Sequence, residues 1–428
     1  MKLIENVKMM IHDADMGIVF REGHILLEGQ YIKEINPDPE KINNCEKIEG
    51  RGRIAMPGLI NTHTHAAMTL LRGYADDMEL MPWLETKIWP QEAKLDSDSI
   101  YWASMLASIE MIKSGTTTFA DMYFFMDDVA RAVEEIGIRA FLSRGLIGLN
   151  DSGEKSLSEA LTFANKWNNT SQGRITCGLA PHAPYTCPPD YLKIVIAEAK
   201  KTEKRIHIHL SETLSEVNNI VEQYGMRPVE LMEEIGLFEC DVLAAHCIHV
   251  NSKEIDILHK HDIAVAHNPS SNMKLASGIA PIPDMLGKKI FVGLGTDGTA
   301  SNNNLNMFEE IHLAALLHKI GKMDPTVLPA AQVLDMATRQ GAAALGLANE
   351  VGKLAVGMKA DIILLDTQKP HLTPCYDESA NLVYSAQGSD VSTVIIDGDL
   401  IMDNNNLVNI DEERVIFEVN RCVNKMMA

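Results

Sequence analysis

The chain has 428 residues, of which 46% are hydrophobic and 23% are charged, the composition of an ordinary globular protein. Its formal net charge of −21 repels phosphate backbones, so we do not expect nucleic acid as a partner. No apolar run is long enough to span a membrane and the N-terminus lacks a signal-peptide pattern, so we expect a cytoplasmic protein without membrane contact.

The first 55 residues have the pattern of short β-strands separated by turns. Strand-like runs occupy residues 18–20, 24–27 and 31–35. Turns that contain Gly23 and Gly29 separate these runs. A segment of this size buries too little apolar surface to be stable alone, so it needs a partner elsewhere in the chain.

From residue 56 onward, strand-like runs alternate with helical patterns. We identify eight strands, at residues 54–61, 116–121, 139–143, 175–180, 205–210, 242–245, 263–266 and 291–294. Helical patterns between them include residues 97–113, 129–136, 157–168, 191–202, 228–235 and 252–260. Eight strand–helix units over about 240 residues predict a TIM-like (β/α)₈ barrel at residues 56–350. The alternative is an open doubly wound sheet, but no glycine-rich phosphate loop follows an early strand.

The C-terminal part of the chain returns to β-structure after two predicted helices, at residues 305–320 and 329–345. Strand-like runs follow at residues 352–354, 360–366, 391–396 and 398–402. We therefore predict an α/β fold in which residues 1–55 and 351–410 form a small β-sandwich domain built from both termini. Residues 411–428 are predicted to form a C-terminal helix.

Histidines collect where the predicted barrel strands end. His63 and His65 follow the first strand, and alternate side chains of a strand share a face, so both imidazoles point the same way. The other strand ends carry Arg144, His182, His209, His246, His267 and Asp297. A barrel has its active site at these C-terminal strand ends. Six of the 15 histidines lie there, which predicts a metal site rather than histidines that are hydrogen-bonded in the core.

The predicted metal ligands are His63, His65, His209 and Asp297. Three nitrogens and one oxygen suit one divalent cation per subunit, with Zn²⁺ favoured and Fe²⁺, Mn²⁺ or Ni²⁺ as alternatives. His207 shares a strand face with His209 but lies farther from the strand end, so we expect it inside the barrel. A second metal is not expected, because the fourth strand has no lysine that could bridge two ions.

A water activated by such a cation needs one group to take its proton and another to protonate the electrophile. Asp297 and His246 are candidates for holding the water and its proton. Glu212, three residues after His209, can reach a ring nitrogen of a bound heterocycle. Its position equally fits an acid in the first turn of a helix, where it would interact with the helix dipole.

Ten short motifs along the chain are recognisable in combination. Five of them lie at residues 57–65, 209–212, 244–247, 267–272 and 295–298. The other five lie at residues 71–77, 89–92, 143–145, 181–185 and 301–305. The first five resemble the amidohydrolase superfamily, and the second five resemble its 5′-methylthioadenosine/S-adenosylhomocysteine deaminases. The resemblance covers nearly the whole chain and implies metal-dependent, hydrolytic deamination of adenine nucleosides to the inosyl product and ammonia.

The resemblance also implies roles for individual residues. Glu212 would protonate N1 of the purine as water attacks C6. His246 and Asp297 would position the water and pass its proton to the leaving amine, so these three residues are the predicted catalytic groups. Glu92 would accept hydrogen bonds from the ribose hydroxyls, with His182 beside it.

The predicted substrate-binding set is completed by Arg144, which would face the 5′ substituent, where homocysteine carries a carboxylate. Some members of the family have a second arginine in the loop after the third strand. Here the only cation in that loop, residues 145–157, is Lys155, which lacks a bidentate fork. We therefore expect weak specificity for S-adenosylhomocysteine, with 5′-methylthioadenosine, 5′-deoxyadenosine and adenosine also accepted.

Two other classes of protein compete with this interpretation. A guanine or cytosine deaminase or a chlorohydrolase could use the same barrel and metal, although Glu92 paired with His182 favours a ribose that free bases lack. A non-catalytic binding or assembly relative would be expected to lack ligands, and the full ligand set is present. We expect a small-molecule nucleoside as the substrate and a homo-oligomer as the assembly.

Overall fold

Two β-sheets organise the chain, which the structure, a computed structural model, describes over residues 1–38, 42, 45–149 and 153–427. The strands are β1 (Lys2–Asp13), β2 (Gly17–Glu28), β3 (Tyr31–Ile35), β4 (Glu46–Glu49), β5 (Arg53–Pro57), β6 (Leu59–Thr64), β7 (Thr116–Tyr123), β8 (Arg139–Leu146), β9 (Ile175–Pro181), β10 (Ile206–Leu210), β11 (Val242–His246), β12 (Ala264–His267), β13 (Val292–Leu294), β14 (Ile362–Asp366), β15 (Val391–Ile396), β16 (Asp399–Asp403) and β17 (Asn406–Leu407). The first sheet contains eight of them and the second contains nine.

The helices cover the barrel and extend its loops. They are α1 (Leu80–Trp83), α2 (Trp89–Glu92), α3 (Ser97–Lys113), α4 (Met126–Ile136), α5 (Gly153–Trp167), α6 (Pro189–Thr202), α7 (Leu214–Tyr224), α8 (Pro228–Glu234), α9 (Ser252–Lys260), α10 (Pro269–Lys274), α11 (Ile282–Gly287), α12 (Met307–Lys322), α13 (Ala330–Met336), α14 (Arg339–Ala344), α15 (Glu378–Tyr384) and α16 (Glu412–Met427). None of these helices is both long and apolar enough to cross a membrane.

The eight-stranded sheet is a parallel barrel in which each strand from β6 to β13 pairs with the next in sequence. Its two ends also meet, because Asp297 N–H donates to His63 O and Thr62 Oγ1 donates to Leu294 O, both at 2.9 Å. Every residue of β6 and β7 is buried, as expected for parallel strands covered on both faces. The predicted (β/α)₈ fold is confirmed, and its C-terminal strand ends face one opening.

The nine-stranded sheet is built from both ends of the chain. Its order is β17-β16-β15-β14-β5-β1-β2-β3, with β4 paired to β1. The two ends join where β5 runs antiparallel to β14. A separate apolar cluster, which includes Ile4, Val7, Ile25, Ile362 and Leu364, stabilises this sheet. The predicted pairing of both termini into a small β-domain is therefore confirmed, whereas the residue limits of the domains stay a prediction.

The predicted strand at residues 54–61 is in fact two strands that belong to different sheets. β5 lies in the nine-stranded sheet, β6 lies in the barrel, and Gly58 separates them. A Cβ atom on Gly58 would lie 2.0 Å from Thr117 Oγ1, so only glycine lets the chain pass this close to β7. The crossing places His63 and His65 at the far end of the first barrel strand.

The structure also differs locally from the sequence predictions. β1 was not predicted, because charged residues and a bulge between Ile4 and Val7 interrupt its alternation. Residues 352–354 do not form a strand, since Gly352 has a φ of +88°. Residues 329–345 form α13 and α14 rather than one helix, because the carbonyl of Ala337 accepts from Ile60 N–H of the barrel at 2.9 Å.

A buried ion triad joins the barrel to the nine-stranded sheet. Arg139, the first residue of β8, is 1% exposed. Its guanidinium donates to both carboxylate oxygens of Asp361, at 2.8 and 3.0 Å, and to Asp397 Oδ1 at 2.8 Å. All three charges are removed from water, so Arg139 and Asp361 compensate each other, and Asp397 is compensated by Arg139 and by Lys359 at 3.4 Å. The triad lies at the end of the barrel opposite the histidines.

We predict that Arg139→Leu lowers the free energy of unfolding by about 3–5 kcal/mol, because it leaves Asp361 buried without its cation and leaves Asp397 with Lys359 alone, at 3.4 Å. Urea denaturation followed by circular dichroism measures this change. The matched control is Arg131→Leu, which removes an exposed guanidinium paired with Asp128 on α4 and should cost at most about 1 kcal/mol. Equal effects of the two variants would contradict a stabilising role for the triad.

Candidate metal centre and active site

Four side chains converge at the opening of the barrel. His63 and His65 come from the end of β6, His209 from β10, and Asp297 from the loop after β13. Asp297 Oδ1 lies 3.4 Å from His63 Nε2 and 3.3 Å from His65 Nε2. His209 Nε2 lies 3.3 Å from His65 Nε2. The structure thus brings together the four residues that the sequence predicts as metal ligands, although their role as ligands stays a prediction.

The imidazole rings are oriented by hydrogen bonds on the side away from this centre. His65 Nδ1 lies 2.7 Å from Met122 O and His209 Nδ1 lies 2.8 Å from His182 O. Both contacts require Nδ1–H as the donor, which leaves Nε2 with a free lone pair. His63 Nδ1 lies 2.9 Å from Nε2 of His207, which fills the barrel interior as expected. The Nε2 atoms of all three rings therefore face the centre.

Burial keeps the rings of His63 and His209 neutral. It lowers the pKa of His63 to about 4 and the pKa of His209 well below its usual value. Asp297 accepts hydrogen bonds from Ser271 Oγ at 2.7 Å, Gly298 N–H at 2.8 Å and Ser301 Oγ at 3.2 Å, and these favour the carboxylate. Neutral imidazoles and an ionised carboxylate are the forms that bind metal.

These residues fit a divalent cation. His63 Nε2 is buried without a hydrogen-bond partner, which is costly unless another group takes its lone pair. The donor atoms of His63, His65 and Asp297 lie within 4.8 Å of one another, and so do those of His63, His209 and His246. Nitrogen and oxygen donors at this spacing suit a divalent metal. The chain therefore has a metal site at the opening of its barrel.

Glu212 and His246 lie beside the predicted ligands. His246 Nε2 is 3.8 Å from Glu212 Oε2, and its Nδ1 lies 2.9 Å from Asn272 Oδ1. Burial raises the pKa of Glu212, so its carboxyl group holds a proton more readily than an exposed glutamate does. Burial opposes the charged form of His246, but Glu212 and Asp297 outweigh it and raise the pKa of this imidazole. One group is suited to giving a proton and the other to taking one.

A cavity opens from this centre and is shaped by helices α1 and α2. Glu92 lines it and accepts a hydrogen bond from Tyr123 Oη at 2.6 Å. Burial raises the pKa of Glu92. His182 also lines the cavity, and its Nδ1 lies 2.9 Å from Thr186 Oγ1. Both predicted ribose contacts therefore face the same space as Glu212, although contact with a ribose stays a prediction.

Arg144 is placed differently from the other predicted substrate contacts. Its neighbour Gly145 lines the cavity, whereas the Arg144 guanidinium extends towards α5 and lies 2.5 Å from Glu159 Oε2. Successive side chains of a strand point to opposite faces, which explains the difference. Lys155 lies 3.9 Å from the other oxygen of Glu159. The predicted contact between Arg144 and a substrate carboxylate stays a prediction.

Several cavity residues were missed or left undecided by the sequence reasoning. The aromatic side chains that line the cavity are Trp83, Trp89, Tyr123, Phe124 and Tyr185. Among the described residues that line the cavity there is no lysine or arginine. The serines that bind Asp297 were also missed, although both lie within recognisable motifs. Each lies four residues after a residue at a strand end, Ser271 after His267 and Ser301 after Asp297, and this spacing was the available signal.

Comparisons with known proteins agree with this geometry. The model of the amidohydrolase family matches residues 54–401. A 5-methylthioadenosine/S-adenosylhomocysteine deaminase from Syntrophomonas wolfei is 50% identical over 427 residues, which is 99% of each chain. A 5′-deoxyadenosine deaminase from Methanosarcina acetivorans is 51% identical over 100% of this chain and 98% of its own.

Two solved structures share the whole fold. A zinc-bound adenosine deaminase from Xanthomonas campestris has a TM-score of 0.94 and 30% identity, and the match covers 99% of this chain and 98% of the other. The zinc-bound atrazine chlorohydrolase TrzN from Arthrobacter aurescens has a TM-score of 0.91 and 25% identity, over 99% of this chain and 100% of the other.

The fold and the centre are those of a metal-dependent hydrolase barrel. The chain belongs to the amidohydrolase family, as its match over residues 54–401 shows. Within that family its full-length relatives at about half identity carry deaminase names. The resemblance found in the sequence motifs is therefore confirmed.

We predict that His209→Ala raises the dissociation constant for Zn²⁺ by more than about 100-fold, because removing even a hydrogen-bond partner of a metal ligand costs 10–100-fold. Elemental analysis of the purified protein and titration against a chelator measure the change. His259→Ala on the exposed surface of α9 is the matched control and should keep the metal. Retention of metal by both variants would remove His209 from the ligand set.

Proposed function

We propose that this chain catalyses the hydrolytic deamination of adenine nucleosides at C6 of the purine, with release of ammonia. The observation that carries the proposal is that Glu212, a buried carboxyl group, faces the same cavity as the donors of the metal centre. The names of the S. wolfei and M. acetivorans relatives support the same reaction. Zn²⁺ is the proposed metal, because three neutral imidazoles and one carboxylate are a donor set that it favours.

Glu212 is the proposed proton donor. Its raised pKa keeps the carboxyl protonated closer to neutral pH, and it passes this proton to N1 of the purine. Protonation of N1 makes C6 more electrophilic towards water. When bound, the cation supplies the Lewis acidity that makes water a usable nucleophile near neutral pH.

The remaining proton transfers fall to His246 and Asp297. We propose that they accept the first proton of the attacking water and deliver it to the amino group on C6, which then leaves as ammonia. The second proton of that water returns Glu212 to its starting form as C6 becomes a carbonyl carbon. The separation of 3.8 Å between His246 Nε2 and Glu212 Oε2 supports a shared role of the two groups in one reaction.

Glu92 and His182 are the proposed contacts for the ribose. A carboxylate can accept hydrogen bonds from two vicinal hydroxyls, and Tyr123 already holds Glu92 in place. A guanine or cytosine deaminase would not need this pair, because free bases lack a sugar. The likeness to a chlorohydrolase keeps dechlorination as a second candidate, since the same centre could hydrolyse a carbon–chlorine bond. Expected self-association and a cytoplasmic location stay predictions.

The 5′ pocket is proposed to prefer nucleosides with a neutral 5′ substituent. Its described lining includes the carboxyl groups of Glu92 and Asp297, which disfavour a substrate carboxylate, and it contains no lysine or arginine to compensate for them. Arg144 contacts Glu159 at 2.5 Å and does not belong to this lining. We therefore propose that 5′-methylthioadenosine, 5′-deoxyadenosine and adenosine are used at least as well as S-adenosylhomocysteine.

We predict that metal-loaded wild-type protein converts 5′-methylthioadenosine to its inosyl product and that Glu212→Gln lowers kcat by about 100-fold or more, because it removes the proton donor. The change in ultraviolet absorbance from adenine to hypoxanthine measures turnover. Glu222→Gln, an exposed change on α7, is the control and should keep wild-type activity. Absence of turnover by metal-loaded wild type would favour a base deaminase or a chlorohydrolase.

A second prediction concerns the 5′ preference. We expect kcat/KM for the three neutral nucleosides to equal or exceed that for S-adenosylhomocysteine. Glu159→Gln should raise the relative value for S-adenosylhomocysteine by up to about fivefold, since an exposed ion pair is worth at most about 1 kcal/mol. Glu154→Gln on the same helix is the control. A wild-type preference for S-adenosylhomocysteine above about 100-fold would contradict the proposal.

A further inference from the structure

The turn that carries Glu212 has a backbone conformation that needs support. The turn follows β10. Ser211 has a backbone φ of +52°, in the left-handed region that residues other than glycine rarely adopt. The carbonyl of Ser211 accepts from Ile248 N–H at 3.1 Å and from His249 N–H at 2.9 Å. These bonds satisfy the carbonyl group of Ser211, so the amide groups of the turn need other acceptors.

Glu216 supplies both of those acceptors. It lies in the first turn of α7, and its side chain reaches back to the end of the barrel strand. Ser211 N–H donates to Glu216 Oε1 and Glu212 N–H donates to Glu216 Oε2, each at 2.8 Å. The Glu216 side chain is almost fully buried, with 4% of the residue exposed. A buried carboxylate with both oxygens on consecutive amides fixes the peptide planes around Ser211.

This contact is not explained by ordinary helix capping. The cap of α7 is Thr213, whose Oγ1 accepts from Glu216 N–H at 3.1 Å. An acid at this position in a helix usually returns its side chain to the cap residue itself. Here the carboxylate passes the cap and binds the two residues before it, one of which is the proposed proton donor.

We propose that Glu216 is a positioning residue that holds Glu212 in the orientation needed for proton transfer to the substrate. The inference rests on the proposed function, in which Glu212 is the acid. Fixing the amide of Glu212 fixes the direction of its Cα–Cβ bond and therefore the path of its carboxyl group to the cavity. Nothing in the role requires Glu216 to touch the substrate.

The test compares Glu216→Gln with Glu222→Gln, an exposed change on the same helix. Glutamine keeps the size of the side chain but offers only one acceptor, so one of the two amides loses its partner. We expect Glu216→Gln to lower kcat for 5′-methylthioadenosine by about 10- to 100-fold, since small misplacements of catalytic groups have effects of this size. KM, bound metal and the thermal unfolding midpoint should change little.

A double variant separates positioning from a general structural role. If Glu216 acts through Glu212, Glu216→Gln should cause no further loss of the residual rate in a Glu212→Gln protein. A further tenfold loss there, a loss of metal that matches the loss of kcat, or a kcat within about twofold of the Glu222→Gln control would overturn the inference. If Glu216→Gln fails to fold, Glu216→Asp, which shortens the reach and keeps the charge, is judged by the same criteria. Inactive wild-type protein would instead reject the proposed function.

Discussion

The metal centre depends on the hydrogen bonds that its histidines make through Nδ1, on the side of each ring away from the centre. A histidine can present either ring nitrogen, and the nitrogen that faces the cavity is decided by the partner of the other one. In this barrel the partners of His65 and His209 are the carbonyl groups of Met122 and His182, at the ends of β7 and β9. Closure of the barrel therefore orients the rings, and a metal does not have to order them when it binds.

The two ends of the barrel have separate tasks. The C-terminal strand ends carry the histidines, Asp297 and the cavity, where positive φ values at Ser211, His246 and Asp297 show that the backbone is bent to serve the site. The opposite end carries the Arg139 triad, which joins the nine-stranded sheet to the barrel. This separation lets the loops at the site depart from regular geometry, because the stability of the fold is provided elsewhere.

Much of this organisation could be predicted from the sequence, because strand–helix alternation and the positions of histidines are local patterns. The barrel, the paired termini and the residues that converge at the centre all follow from such patterns. What could not be predicted depends on contacts between distant residues. Three features illustrate this: the ion pair between Arg144 and Glu159, the hydrogen bond from Tyr123 to Glu92, and the end of one strand and start of another at Gly58. Predicting each of them would require knowing which surfaces of the molecule meet. β1 was missed because charged residues hide its alternation.

The end of β7 fixes the positions of two residues of the site. Met122 orients His65 through its carbonyl group, and the next residue, Tyr123, holds Glu92 through its hydroxyl group. Two consecutive residues of one rigid strand thus set the spacing between the metal centre and the proposed sugar contact. A strand inside a closed barrel cannot slide without breaking its pairing on both sides. The barrel itself therefore sets the distance between the metal centre and Glu92, although Glu92 lies on a helix outside the barrel.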